Sequence, residues 1–153
     1  MLGDEHFSYP GNHIEADNRL TWFLGDLERR FGNNAYYVHL LRNRAAVARS
    51  FRQRFDSGII KAYNEDIILN SGGNNDRLLV CEDYVDTVTH NIEAFLKNKD
   101  KKLTVQLENV DIDFPRFWQS INAKGDLKTA MNEWRTPKNA SGTPEPADYG
   151  PVG

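Results

Sequence analysis

"YYVHLLRNRAAVARSF", residues 36–51, runs from an apolar segment through a basic turn into a helical pattern. Residues 35–41 are almost continuously apolar, which is how a strand buried on both faces of a sheet reads. Val47, Ala48, Phe51 and Phe55 then recur at helical spacing on one face, with basic residues on the other. A strand passing straight into a helix is half of a βαβ unit, so this junction predicts a parallel sheet. In such sheets ligands bind beyond the carboxyl ends of the strands. Arg42 stands at that end, and Ser50 follows eight positions later inside the helix. A guanidinium offers phosphate a planar fork, and a hydroxyl adds one directional hydrogen bond. Spacing alone leaves two readings open: an anion site, or a solvated arginine and a helix serine without a partner.

Upstream, Leu20, Phe23, Leu24, Leu27 and Phe31 mark an amphipathic helix over 17–31, with Asp17 as its N-cap and Gly32 as its stop. A third strand is expected near His6–Tyr9. Downstream, GIIKAYNEDIIL (58–69) reads as a helix, although its isoleucine pairs leave a strand open, and NSGGNND (70–76) reads as a loop. Cys81, Tyr84, Val85, Val88, Ile92, Phe95 and Leu96 share one face of the longest helix, 76–97. KKLTVQLENV (101–110) alternates Leu103, Val105 and Leu107 as a strand does. Short helices are expected around Phe114–Ile121 and Asp126–Trp134. The tail 136–153, rich in Pro, Gly, Ser, Asn and Ala, is expected to be disordered. The fold class is therefore α/β: one domain over 1–135, with a small parallel sheet flanked by helices.

A chain of 153 residues that is 39% hydrophobic is long enough to build one core. Its net charge of −3 argues against a nucleic-acid surface, and the short basic-aromatic run FRQRF (51–55) does not change that. The single cysteine, Cys81, cannot form an internal disulfide and fits a reducing, cytoplasmic compartment. No apolar run approaches the roughly 20 residues of a membrane span. The N-terminus lacks a basic segment followed by an apolar one, so no signal peptide is read there.

With these elements in place, "YYVHLLRNRAAVARSF" resembles the 3′-phosphate-binding segment of sulfotransferases, whose donor is 3′-phosphoadenosine 5′-phosphosulfate (PAPS). Arg42, Asn43, Val47, Ala48 and Ser50 fall on that pattern, whereas Arg44 stands where the family usually has proline. "LTVQLENV" is similar to the family's later strand, with Glu108 on the motif glutamate, and "FPRFWQSINAKGDLKTAMNEW" is similar to its following short helices. The resemblance implies a partial three-layer, P-loop-like architecture. It also implies that Arg42 and Ser50 hold the donor's 3′-phosphate, and that a sulfuryl group passes to a small-molecule or glycan acceptor. The family's Gly-Thr-rich loop for the 5′-phosphosulfate has no counterpart here, so the domain is expected to be N-terminally incomplete and inactive alone.

The resemblance selects no catalytic base. Glu5, His6, His13 and Glu15, crowded into GDEHFSYPGNHIE (3–15), are candidates, beside the plainer reading of a polar entry loop. The same cluster lacks metal-ligand spacing, so no metal is expected. His39 reads as a core histidine. No membrane or nucleic-acid partner is expected, whereas an open sheet edge makes a homo-oligomer the expected self-partner. The alternative to a transferase is a non-catalytic binding module that keeps the fold.

Overall fold

Helices make up most of the described residues in the computed structural model, which describes residues 7–70 and 75–135. Asp17 opens the first helical segment by accepting from the Arg19 N–H. That segment is divided: a 3₁₀ turn over Asn18–Trp22 precedes α1, Leu24–Phe31. Gly32 ends α1 at φ +47°, a left-handed conformation that glycine adopts without a Cβ penalty. β1 is Tyr37–Leu41 and α2 is Arg44–Arg52, with Asn43 as the N-cap. α3, Gly58–Ala62, runs directly into a π-helical turn over Tyr63–Ile67. The helical reading of 58–69 thus stands over its strand alternative. α4, Arg77–Leu96, is the longest element, and Asp76 caps it through the Leu78 N–H at 2.7 Å. β2 is Lys102–Gln106, followed by a 3₁₀ turn at Leu107–Asn109. α5, Val110–Ser120, and α6, Leu127–Glu133, complete the order. Among the described residues no helix is long and apolar enough to cross a membrane.

β1 and β2 pair in parallel, Tyr37 opposite Lys102 through Leu41 opposite Gln106, and they form a two-stranded sheet. α4 lies over one face, where the Phe95 ring meets Tyr37 edge-on at 5.0 Å. α5 packs against β2, and Val105 is buried. The chain is mixed α/β, mostly helical, with a small parallel sheet.

The main core is not under this sheet. Ala48, Phe55, Ile60, Tyr63, Val80, Cys81 and Tyr84 form one buried cluster supplied by α2, α3, the π turn, α4 and the segment after α2. Ala48 and Cys81 are fully buried, and two rings meet Tyr84 edge-on, Phe51 at 5.0 Å and Tyr63 at 5.2 Å. Desolvation pushes the Cys81 thiol pKa up, which leaves it an inert apolar group. The Tyr63 hydroxyl donates to Asp83 at 2.5 Å and lies 3.1 Å from Thr87 Oγ1, so its burial leaves no polar atom stranded.

Two expectations need correction. The strand at 35–41 is covered on only one face: Val38 is 40% exposed and Leu40 is 54% exposed. Continuous apolar character marks a strand meant for covering on both faces, but here α5 packs on β2 and leaves this side of β1 open. The segment Phe7–Tyr9 forms no strand. Phe7 instead packs edge-on against Phe23 at 5.9 Å, and Tyr9 stacks on Phe31 at 6.1 Å, so these rings close over α1. His6, the loop residues 71–74 and the tail 136–153 lie outside the described residues.

Because Ile60 is 1% exposed within the helical core, Ile60→Ala should lower unfolding stability by about 2–5 kcal/mol. Ile112→Ala, at a 67% exposed position, should change it by no more than about 0.5 kcal/mol. Urea midpoints at unchanged slope measure both, and equal losses would contradict this placement of the core.

Candidate functional site

The carboxyl ends of the two strands are joined by one side chain. Glu108, just past β2, accepts from the Asn43 backbone N–H at 2.8 Å and from Gln106 Nε2 at 3.0 Å. These bonds, the Asn43 N–H foremost, hold the Glu108 carboxyl below its ordinary pKa, and the nearby Arg42 charge acts in the same direction. Asn43 also turns its own side chain inward, where Oδ1 accepts from the Ala46 N–H at 3.0 Å and starts α2. The β1–α2 junction is therefore held from both sides.

The two arginines of this junction have different environments. Arg44 is bidentate to Asp86, Nε to Oδ1 and Nη2 to Oδ2 each at 2.6 Å, and its Nη1 lies 3.1 Å from Glu82. Hydrogen bonding to Asp86, then to Glu82, raises its pKa further and clamps the start of α2 to α4. Arg42 is exposed and forms no hydrogen bond or ion pair among the described residues. Ser50 is half-buried on α2, two turns into the helix, and its hydroxyl likewise has no partner among the described residues. The backbone N–H groups of Arg44 and Ala45, in the first turn of α2, donate to no backbone acceptor among the described residues.

Of the base candidates, His13 and Glu15 are brought together, Nε2 to Oε2 at 2.9 Å, with the His13 ring stacked on Tyr9 at 4.9 Å. Glu5 and His6 lie outside the described residues. No group of three or more His, Cys, Asp or Glu among the described residues is arranged to hold a metal ion. His39 is buried, and desolvation depresses its pKa against the opposing pull of Glu93.

A cleft of about 200 Å³ lies elsewhere, lined by Phe55, Asp56, Lys61, Asn64, Asn70 and Arg77 among others; neither Arg42 nor Ser50 lines it. This cleft is not legible in the sequence. Its asparagines follow no motif spacing, and the π turn that carries Asn64 has no local signature. The Arg44 clamp was equally hidden, because its acidic partners stand 38 and 42 positions away.

No family model, no characterised protein and no solved structure matches this chain.

Glu108 gains its hydrogen bonds only in the folded chain, so its native pKa is lower than its unfolded one. Its contribution is complete above the ordinary value of 4.5 and is lost as pH falls through the depressed native value. Denaturation at a series of acidic pH values should show a steeper stability loss below pH 4.5 for the wild type than for Glu108→Gln. Parallel curves would show that the junction does not depend on the carboxylate.

Proposed function

We propose that the chain is a sulfotransferase-like nucleotide-binding domain in which Arg42 and Ser50 hold the 3′-phosphate of a PAPS-type donor. The supporting observation is that, among the described residues, Arg42 has no anionic hydrogen-bond partner at the carboxyl end of a parallel strand, whereas its neighbour Arg44 is bound to Asp86 and Glu82. The two strands pair in parallel, as this reading requires of them. A partial three-layer architecture of that family belongs to the same proposal.

The fit covers one half of the donor. In this reading a 3′-phosphate beyond β1 would be held by the Arg42 guanidinium, with the Ser50 hydroxyl as the second donor. Glu108 is anionic and close, but its oxygens face Asn43 and Gln106. For the 5′-phosphosulfate no set of described residues offers a comparable cradle, and no transfer step is derived from this chain. The donor supplies the sulfuryl group; the acceptor in this reading is a hydroxyl or amine of a small molecule or glycan. Of the four candidates to take its proton, Glu5, His6, His13 and Glu15, the two described ones, His13 and Glu15, are hydrogen-bonded to each other.

Calorimetric titration tests the reading. The wild type should bind adenosine 3′,5′-bisphosphate more tightly than adenosine 5′-monophosphate. Arg42→Ala should weaken the bisphosphate by about 10-fold or more, the loss of a hydrogen bond to a charged group, and Ser50→Ala by about 2- to 10-fold. Arg49→Ala, on the exposed side of α2, should leave affinity unchanged. Equal affinity for the two nucleotides, or binding of neither, would overturn the 3′-phosphate role. Sulfuryl transfer to an acceptor by a chain that binds would separate the transferase from a binding module.

A further inference from the structure

The two edges of the sheet are built differently. β2's edge is guarded. The Gln106 N–H turns away from β1 and donates to Asp113 of α5 at 3.0 Å, and Asp113 is itself bridged by Arg116 at 3.3 Å. The residues sharing that outward direction are Lys102 and Thr104, polar side chains of the kind that discourage strand addition. Among the described residues, β1's edge has no such protection. Tyr37 N–H donates to Lys101 O at 2.9 Å, so in the alternating parallel ladder Tyr37, His39 and Leu41 turn toward β2. Val38 and Leu40 therefore turn their N–H and C=O groups outward. Outside the ladder, no hydrogen bond of the described residues reaches either one. Their side chains are the apolar ones exposed at 40% and 54%.

We propose that this edge pairs with β1 of a second copy, antiparallel about a two-fold axis at His39, making one four-stranded sheet from two chains. The register is self-complementary. Val38 falls opposite Leu40 of the second copy and Leu40 opposite its Val38, so both outward N–H and both outward C=O groups of each chain find partners. The side chains left exposed in the monomer meet on the same face, in the gap between α5 and its symmetry mate. Charge agrees with this register. The nearest cation, Arg42, falls opposite Tyr36 of the second copy and not opposite itself, so no like charges face each other across the strands. A one-residue shift would set outward groups against inward ones and lose the bonds.

Sedimentation over a rising concentration series should show the mass climbing from 17.5 kDa toward twice that value. Leu40→Glu should abolish the rise while leaving the circular dichroism spectrum unchanged. A second arm uses single cysteines and works even where Leu40→Glu fails to fold. Under mild oxidation, Val38→Cys mixed with Leu40→Cys should cross-link far more than either alone, because position 38 faces position 40 and not itself. Native Cys81 is fully buried and does not compete. Amide exchange at Val38 and Leu40 should slow only as the dimer fills. A constant monomer mass would overturn the proposal. So would concentration-independent protection of those amides, which would mean that the chain covers its own edge. Efficient cross-linking of Leu40→Cys alone would overturn the register.

Discussion

The packing of α2 against α4 is the contact on which the rest of this molecule depends. A two-stranded parallel sheet cannot stand alone: its bonds are few and it hides little apolar surface. Here it is attached to a helical unit that has its own core, with Ala48 of α2 and Cys81 of α4 both fully buried at its centre. Small side chains at these positions let two helices approach closely, and Phe51, Tyr63 and Tyr84 fill the space around them edge to face. Arg44 fixes the register of that packing from the outside by gripping Asp86 and Glu82 one turn apart on α4. Because Arg44 is also the first residue of α2, the same clamp sets where β1 must end. The sheet is thus positioned by helices more than the helices are positioned by the sheet.

How much of this was legible follows from the range of each interaction. α4 could be read almost residue by residue, since its apolar face repeats along one continuous helix. The parallel pairing of β1 and β2 was legible as well, because a strand–helix–strand order leaves little choice of direction. The open face of β1 was not. Sequence shows that Val38 and Leu40 are suited to burial; it cannot show whether anything in the chain arrives to bury them. α5 was placed to start near Phe114, four residues later than its observed start at Val110. The helix in fact continues directly from the 3₁₀ turn that precedes it. The segment at Phe7–Tyr9 misled for a related reason: alternating aromatics suit a strand, but they suit a lid on α1 equally well.

The candidate site divides along the same line. Arg42 and Ser50 stood out because strand end and helix are adjacent in sequence, so eight positions translate into a known geometry. Glu108 was visible only as a motif position, and its role of joining two strand ends comes from a partner 65 positions away. In the resemblance, Arg44 stands where the family usually has proline. A proline would stiffen the turn by fixing one backbone angle, and arginine stiffens the same turn by a different route, through side-chain bonds to α4.

The same turn bears on how the proposed anion site would be prepared. An exposed arginine on a loose loop must lose much of its freedom when it binds, and this ordering offsets part of the interaction. Arg42 stands between a strand held in a ladder and a cap residue whose backbone N–H and side chain are both engaged. Its backbone is therefore fixed before any ligand arrives, and only its side-chain rotors remain to be ordered. The two charges beside it are already engaged, Arg44 with α4 and Glu108 with the strand ends. Among the described residues, Arg42 is the cation of this junction whose hydrogen-bonding capacity is unengaged.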